Sequence, residues 1–595
     1  MKTGGMVLLS AAVIWCIPCV AVAQSVDDQL RAIYTEEWKW RLEQFPGLEG
    51  VTKPVPDRLP KVDPPTQEMR LRYWEDVLHK LDDIPRTQLS PEEQINYDVY
   101  RPEIEDSVAD QKFRDYEMPA NSDSAFWTDL GYTARRPFKT LTDYKNWIAQ
   151  MRDVPRYFRE QIANMRAGLA RSFTPPRLTL QGREKSITSI AEGKPEDNLL
   201  YTPFREPMVG VQASDQDKLK TEAAQVIREI VQPAYADLLK FFRDEYVPHT
   251  RTTLAAEALP DGKTYYRQKI REFTTVDLSP EEIHQLGLSE VAKLHQQMVD
   301  TMQESGFKGE FPAFVQFLRD DPQFYAKTPQ ELLNRAAWIA KVFDGKSSQY
   351  FGYLPRMRFA IKPVPSDLAP FYTSGRGGPG VYLLNTYDLP HRPLYNLPAL
   401  TLHESAPGHA FQIPIALEHK NQADFRQHDY ISAYGEGWAL YCEKLGQEMG
   451  MYENCEKLGE EMGMYETPYE RFGMLGYQIW RAARLVVDTG VHSKGWTREQ
   501  ALKYMHDYTA LPEHEIETEV DRYIAWPAQA LSYYMGELAI VRAREKAEKA
   551  LGPKFNIRGF HDAVLELGSV PLPVVTARID RFIAEGGKGP YPDME

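Results

Sequence analysis

Cysteine is scarce in this chain, with four in 595 residues. Cys16 and Cys19 lie in an apolar leader, which leaves Cys442 and Cys455. Two cysteines in so long a chain exclude a disulfide framework. One bridge between them stays open, and two free thiols are the simpler expectation. Basic clusters are lacking too. The net charge is −15, and no run of lysines or arginines occurs. That argues against nucleic acid, or an anionic membrane surface, as the main partner. Past the leader, no stretch is apolar for long enough to span a bilayer. Neither a G-x-S-x-G nucleophile elbow nor a phosphate-binding P-loop is present. Strand signals are few, and low-complexity tracts are absent.

What remains is a globular composition, 43% hydrophobic and 26% charged, able to bury a sizeable core. The length admits one large enzyme or two to three domains. At the N-terminus Lys2 precedes an apolar run from Met6 to Val22 and an Ala21-Val22-Ala23 cleavage site. This reads as a signal peptide over residues 1–23, leaving Gln24 first. The alternative is an uncleaved anchor, because the run is close to spanning length. Pro18 stands before Cys19 where a lipoprotein signal wants a small residue, so lipidation is not expected. The expectation is an exported protein, periplasmic or secreted, with no stable membrane insertion.

Helix starts recur in one style. Ser90-Pro91-Glu92-Glu93, Ser279-Pro280-Glu281-Glu282 and Thr328-Pro329-Gln330-Glu331 each offer a capping hydroxyl, a first-turn proline and an acid three residues after the cap. Thr497-Arg498-Glu499-Gln500 is a fourth, without the proline. Leu219–Tyr246 and Ile283–Met302 carry helical apolar spacing, and Pro233 should kink or split the first. The best strand is Tyr382-Leu383-Leu384-Asn385, after a turn at Gly375–Gly380. The fold class is therefore mainly α with a small sheet. A soft boundary near residue 250 separates an N-terminal helical region (24–250) from the region that carries the chemistry (251–595).

Residues 442–454 read CEKLGQEMGMYEN and 455–467 read CEKLGEEMGMYET. Thirteen extra residues would turn a continuous helix by roughly 220° beyond whole turns. One copy is therefore expected to bulge out and leave the core undisturbed.

The chemistry concentrates in Leu402-His403-Glu404-Ser405-Ala406-Pro407-Gly408-His409 and in Gly435-Glu436-Gly437-Trp438. Two imidazoles and a distant carboxylate are the ligand inventory of a catalytic zinc site, with a further glutamate beside the first histidine as general base. The usual H-E-x-x-H places its histidines one turn apart. Here the second comes at +6, roughly 240° around an ideal helix. Pro407 and Gly408 lie between them, and a bulge or kink there would bring His409 back toward His403. The rival readings are a buried helix with two unrelated histidines, or His419 or His428 as the second ligand. The expected cofactor is one zinc ion held by His403, His409 and Glu436, with Glu404 moving the proton. Glu443, seven residues after Glu436, falls on the same helix face and is a candidate to orient a ligand histidine, or else an ordinary solvated or salt-bridged residue.

The stretches GGPGVYLLNT, ALTLHESAPGHAFQ, YGEGWALYCEKL, RAARLVVDTGVHSKGWTREQA, EVDRYIAWPAQALSYYMGEL and FHDAVLELGSVPL resemble the bacterial family known as domain of unknown function 885. The resemblance implies a mostly helical zinc-peptidase fold, similar to the elongated, clefted architecture of thimet oligopeptidase and angiotensin-converting enzyme. Those relatives use H-E-x-x-H, so their ligand geometry does not transfer directly. The tandem repeat and Ala528, where the family leads one to expect glycine, depart from the pattern.

Donors for a tetrahedral intermediate are sought in Tyr533, which the resemblance favours, Tyr534 and His492. Arg522-Tyr523 is a candidate to bind a substrate carboxylate. Gly377–Asn385, including Tyr382 and Asn385, is a candidate edge strand for a peptide. Each has a plain alternative: packed tyrosines, an Arg522–Glu519 pair, an ordinary hairpin. The leading expectation is a zinc metallopeptidase of short peptides, of oligopeptidase or carboxypeptidase type. The rivals are a zinc hydrolase of non-peptide amides or esters, and a non-catalytic peptide-binding protein on a peptidase fold.

Overall fold

The structure is a computed structural model that describes residues 25–591, apart from 49, 51–52, 123, 206, 367, 420–421 and 453–467. The signal peptide, Cys455 and the second copy of the repeat lie outside the described residues. Cys442 is free and buried.

The caps form as their chemistry dictates. Ser279 and Thr497 close full capping boxes at the starts of Pro280–Glu304 and Arg498–Tyr508. Ser90 and Thr328 accept from the backbone N–H of Glu93 and Glu331. The helical run through Pro233 is not broken. Wide turns at Ile227–Val231 and Phe242–Tyr246 absorb Pro233 and Pro248, so the chain stays helical from Ala213 to His249.

Buried side chains gather into two cores. The smaller is built from residues between Val55 and Tyr246, with Trp127, Trp147 and Tyr235 at its centre. The larger takes in Leu30 to Val108 together with Ala256 to Phe582. The boundary near residue 250 thus marks the end of the smaller core, while helices Val26–Gln44, Pro64–Asp82 and Pro91–Phe113 pack with the C-terminal half.

Within the larger core, Pro280–Glu304 lies along the almost wholly buried helix Pro468–His492, and Ser432–Glu448 crosses Ser532–Leu551. At that crossing a Cβ on Gly437 would sit 2.4 Å from Gly536 Cα, and one on Gly536 would sit 1.8 Å from Ala433 O. Two glycines are what let the helices touch backbone to backbone.

The sheet has three strands, ordered β1 (Ala360–Pro363), β3 (Val381–Leu384) and β2 (Gly375–Gly378). The β1–β3 pair is parallel and the β2–β3 pair antiparallel. The glycine-rich segment expected to be a turn is itself a strand. The turn shrinks to Pro379-Gly380, where Gly380 has φ +77°. Among the described residues no helix is long and apolar enough to cross a membrane.

Candidate metal centre

The expected kink between the histidines is a full helix break. Leu397–Glu404 ends, and a new helix, His409–Glu418, begins on the second histidine. Ser405 donates to Thr401 O through both its N–H (2.9 Å) and its Oγ (2.6 Å). Gly408 N donates to Leu402 O at 3.0 Å, folding the turn back on its helix. No side chain fits at Gly408, because a Cβ would lie 1.8 Å from His403 O. Trp438 Nε1 donates to Pro407 O at 2.8 Å and pins the turn to the helix that carries Glu436. The two imidazole rings end 4.9 Å apart, at 88° to each other.

The break brings the three candidate ligands together. One ligand atom each from His403, His409 and Glu436 lies within 4.8 Å of the others. Glu436 Oε2 is 3.4 Å from His403 Nε2 and 3.5 Å from His409 Nε2. Behind them, His403 Nδ1 sits 2.7 Å from Glu443 Oε1. Nδ1–H donates to the fully buried Glu443 carboxylate, which leaves Nε2 facing Glu436. The electrostatics point the same way. Burial opposes charge on His403, yet bonds to Glu436 and Glu443 and the nearby Glu404 push it up to about 10. Burial likewise opposes charge on Glu436, and His409 and His403 hold it well below the usual carboxylate range. Three carboxylates around two imidazoles form a pocket that demands positive charge. Two nitrogens and one oxygen with a carboxylate behind the first imidazole fit a divalent ion of the zinc type.

Glu404 flanks this triad. Its Oε2 accepts from Gly377 N at 2.5 Å, so the edge strand β2 fixes one carboxylate oxygen. A Cβ on Gly377 would be 1.8 Å from Glu404 O, so only glycine lets the strand approach.

Tyr430 completes the site, and no sequence motif announced it. Its hydroxyl donates to Glu436 Oε1 at 3.3 Å. Tyr430 is 49% exposed, and Glu436, Tyr533 and Glu404 lie near its hydroxyl. Burial first, then the charge on Glu436, holds its pKa well above the usual phenol value, so it stays a donor. The trace of it in the sequence is Gly435: a Cβ there would be 2.5 Å from the Tyr430 hydroxyl.

Other expected residues fall elsewhere. His492 is buried with both nitrogens committed, Nδ1 accepting from Ala256 N (3.1 Å) and Nε2 facing Tyr523 O (2.9 Å). Burial pushes it down to about 3, so it is a neutral structural tie and not a donor to an intermediate. Tyr534 points away, donating to Glu290 at 3.0 Å. Asn385 Nδ2 donates to the carbonyls of Ala369, Tyr372 and Thr373 and organises its loop. It has no amide hydrogen left for a substrate. Tyr382 is wholly buried beside Thr401 and Glu404. Tyr523 is buried, its hydroxyl accepting from Trp480 Nε1 and Arg484 Nε, each at 2.9 Å. Tyr533 lies near Tyr430, with the Arg484 guanidinium 4.3 Å from its ring centre and Arg522 within hydrogen-bonding reach. Arg522 also bonds Gln529 (2.7 Å) and Glu519 (3.5 Å). His419 stacks on Tyr353 and His428 on Trp38, so neither is the second ligand. Ala528 adopts the left-handed conformation, φ +69°, in which glycine is the unstrained residue.

A mainly helical fold around this centre defines a class of bacterial protein. The chain belongs to the family described as bacterial protein of unknown function (DUF885), which matches residues 47–579. Its fold is similar to that of a presumptive lipoprotein from Colwellia psychrerythraea, at TM-score 0.86 and 26% identity, covering 95% of this chain and 100% of that one. A presumptive lipoprotein of unknown function from Shewanella oneidensis shares the fold at TM-score 0.70 and 18% identity, covering 93% and 99%. No curated protein matches the chain.

Proposed function

We propose that this chain is an exported, metal-dependent hydrolase of peptide bonds, with zinc the favoured ion. One observation carries the reading: donor atoms of His403, His409 and Glu436 converge within 4.8 Å while Glu404 stands beside them, tied to an edge strand. Those three side chains would hold a divalent ion, which would supply Lewis acidity and lower the pKa of water. Glu404, with Oε2 fixed by Gly377, takes the proton from the attacking water and delivers it to the leaving amine. Tyr430, and Tyr533 beside it, donate to the oxygen that gains charge. The outer edge of β2 offers main-chain groups along which an extended peptide can align. The structural similarity to a presumptive lipoprotein supports export.

Metal analysis of the purified protein, coupled to cleavage of a short-peptide library with and without chelator, tests this. The expected result is one ion per chain and turnover that chelation abolishes. Glu404→Gln should keep the ion and lose about 10²- to 10⁴-fold in kcat. Full turnover by that variant would falsify the role of Glu404. Cleavage of amide or ester panels in place of peptides would redirect the reading to a non-peptide hydrolase. A loaded but inert protein would point to a binding function.

A further inference from the structure

We propose that the substrate is a peptide with a free C-terminal carboxylate, which docks on an arginine cluster beside Tyr533 so that cleavage falls near the C-terminal end. The proposal rests on the peptidase reading above and adds the substrate's end group to it.

Helix Pro468–His492 contributes Arg481 and Arg484, helix Glu513–Ala525 contributes Arg522, and Arg392 comes from the loop ahead of the His403 helix. The acids that face them are Glu515 and Glu519, with Glu443 and Glu537 also facing Arg481. Glu519 takes Arg484 at 2.9 Å and Arg522 at 3.5 Å. Burial and then Glu519 push the Glu515 carboxyl up, against the pull of Arg392, Arg481 and Arg484. Glu443 comes within 3.9 Å of Arg481 but is committed to His403. At ion-pair distance these permanently charged guanidinium groups meet two carboxylates, Glu519 and the already committed Glu443.

Several donors in this cluster have nothing to bond. Arg484 Nη1, Arg481 Nε and Arg392 Nε are buried without an acceptor. Arg484 is 2% and Arg481 5% exposed, so water does not serve them. An orphaned buried donor costs about 1–3 kcal/mol, more when it is charged. An incoming carboxylate would meet these donors, and its two oxygens suit the planar fork of arginine.

The position is right for a substrate terminus. Arg522 reaches solvent, with 20% of its side chain exposed. It contacts Tyr533, which flanks Tyr430, which donates to Glu436. The cluster therefore adjoins the metal centre through two tyrosines. On its other side a cavity of about 400 Å³, lined in part by Arg392, Tyr477 and Glu515, leaves room for a terminal side chain.

The test pairs N-acetylated short peptides made as free acids and as C-terminal amides. The metal-loaded protein should cleave the acids with kcat/KM about 10- to 100-fold above the amides, the range for hydrogen bonds to a charged group. Arg522→Gln should bring that ratio close to unity, chiefly through KM, with metal content unchanged. Arg522→Lys, which keeps the charge but loses the fork, should fall between and guards against a folding defect. Equal cleavage of both series by the wild type overturns the carboxylate anchor and leaves the peptidase reading standing. If neither series is cleaved, the peptidase reading fails. Calorimetric binding of the same peptides to Glu404→Gln then decides the anchor: tighter binding of acids sustains it and equal affinity overturns it.

Discussion

The two ring nitrogens of His403 have different tasks. Nδ1 is held by Glu443 and Nε2 faces Glu436, so Glu443 decides which nitrogen is free to bind an ion. Glu443→Gln retains an acceptor but removes the charge that strengthens the imidazole as a ligand. It should weaken metal affinity about 10- to 100-fold with the fold intact, read by chelator competition. Tyr430→Phe should keep the ion and cost about 10²- to 10³-fold in kcat, the usual loss for one donor to a developing oxyanion. Unchanged kcat would return Tyr430 to a packing role. The grouping of His403, Glu404, His409, Glu436 and Glu443 was legible as a candidate site because residue types able to hold a metal are few and these crowd two short segments. Tyr430 was not, since a tyrosine near a glutamate is ordinary in any helical protein. His492 was misread for the complementary reason. A lone histidine carries no mark of whether its nitrogens are spent on the main chain, as they are here by Ala256 and Tyr523.

Helix starts were readable from local chemistry, since a cap and its partner lie within four residues and need no tertiary information. The strand at Gly375–Gly378 was not, because four residues so rich in glycine have almost no strand propensity. It exists because β3 pairs with it and Glu404 receives Gly377 N, both long-range effects. Gly377→Ala should therefore push β2 off Glu404 and cut turnover more than tenfold while the ion remains, which activity and metal content measured together would reveal. The crossing of Ser432–Glu448 with Ser532–Leu551 makes a sharper demand. Gly536→Ala places a methyl carbon on Ala433 O, and the overpacking should cost about 1–3 kcal/mol. Because the displaced helix carries both Glu436 and Glu443, metal affinity should fall along with the unfolding midpoint.

The molecule as a whole places ionisable groups in dry surroundings, and this sets its response to pH. Burial pushes His492 and His561 down to about 3. Between that value and the ordinary histidine value near 6.5 the unfolded chain binds more protons. Their contribution is thus complete above about pH 6.5 and is lost as pH falls toward 3. Glu537 is pushed the other way, to about 8, by burial and then by Glu443 and Glu290, against Lys444 and Arg481. The folded state then holds the extra proton, and stability falls as pH rises from about 4.5 to about 8. Glu537→Gln should gain stability relative to the wild type across that same window, in denaturant midpoints measured on the chelated protein, and show no gain below it. The division of the chain into two cores was only half visible beforehand, because composition cannot say that helices 26–113 fold onto partners more than a hundred residues away. That arrangement has a practical outcome. A protease nick inside 120–246 severs the polypeptide but not the assembly, since the pieces on either side remain clasped in one interior. A clipped molecule should travel as a single particle on a sizing column.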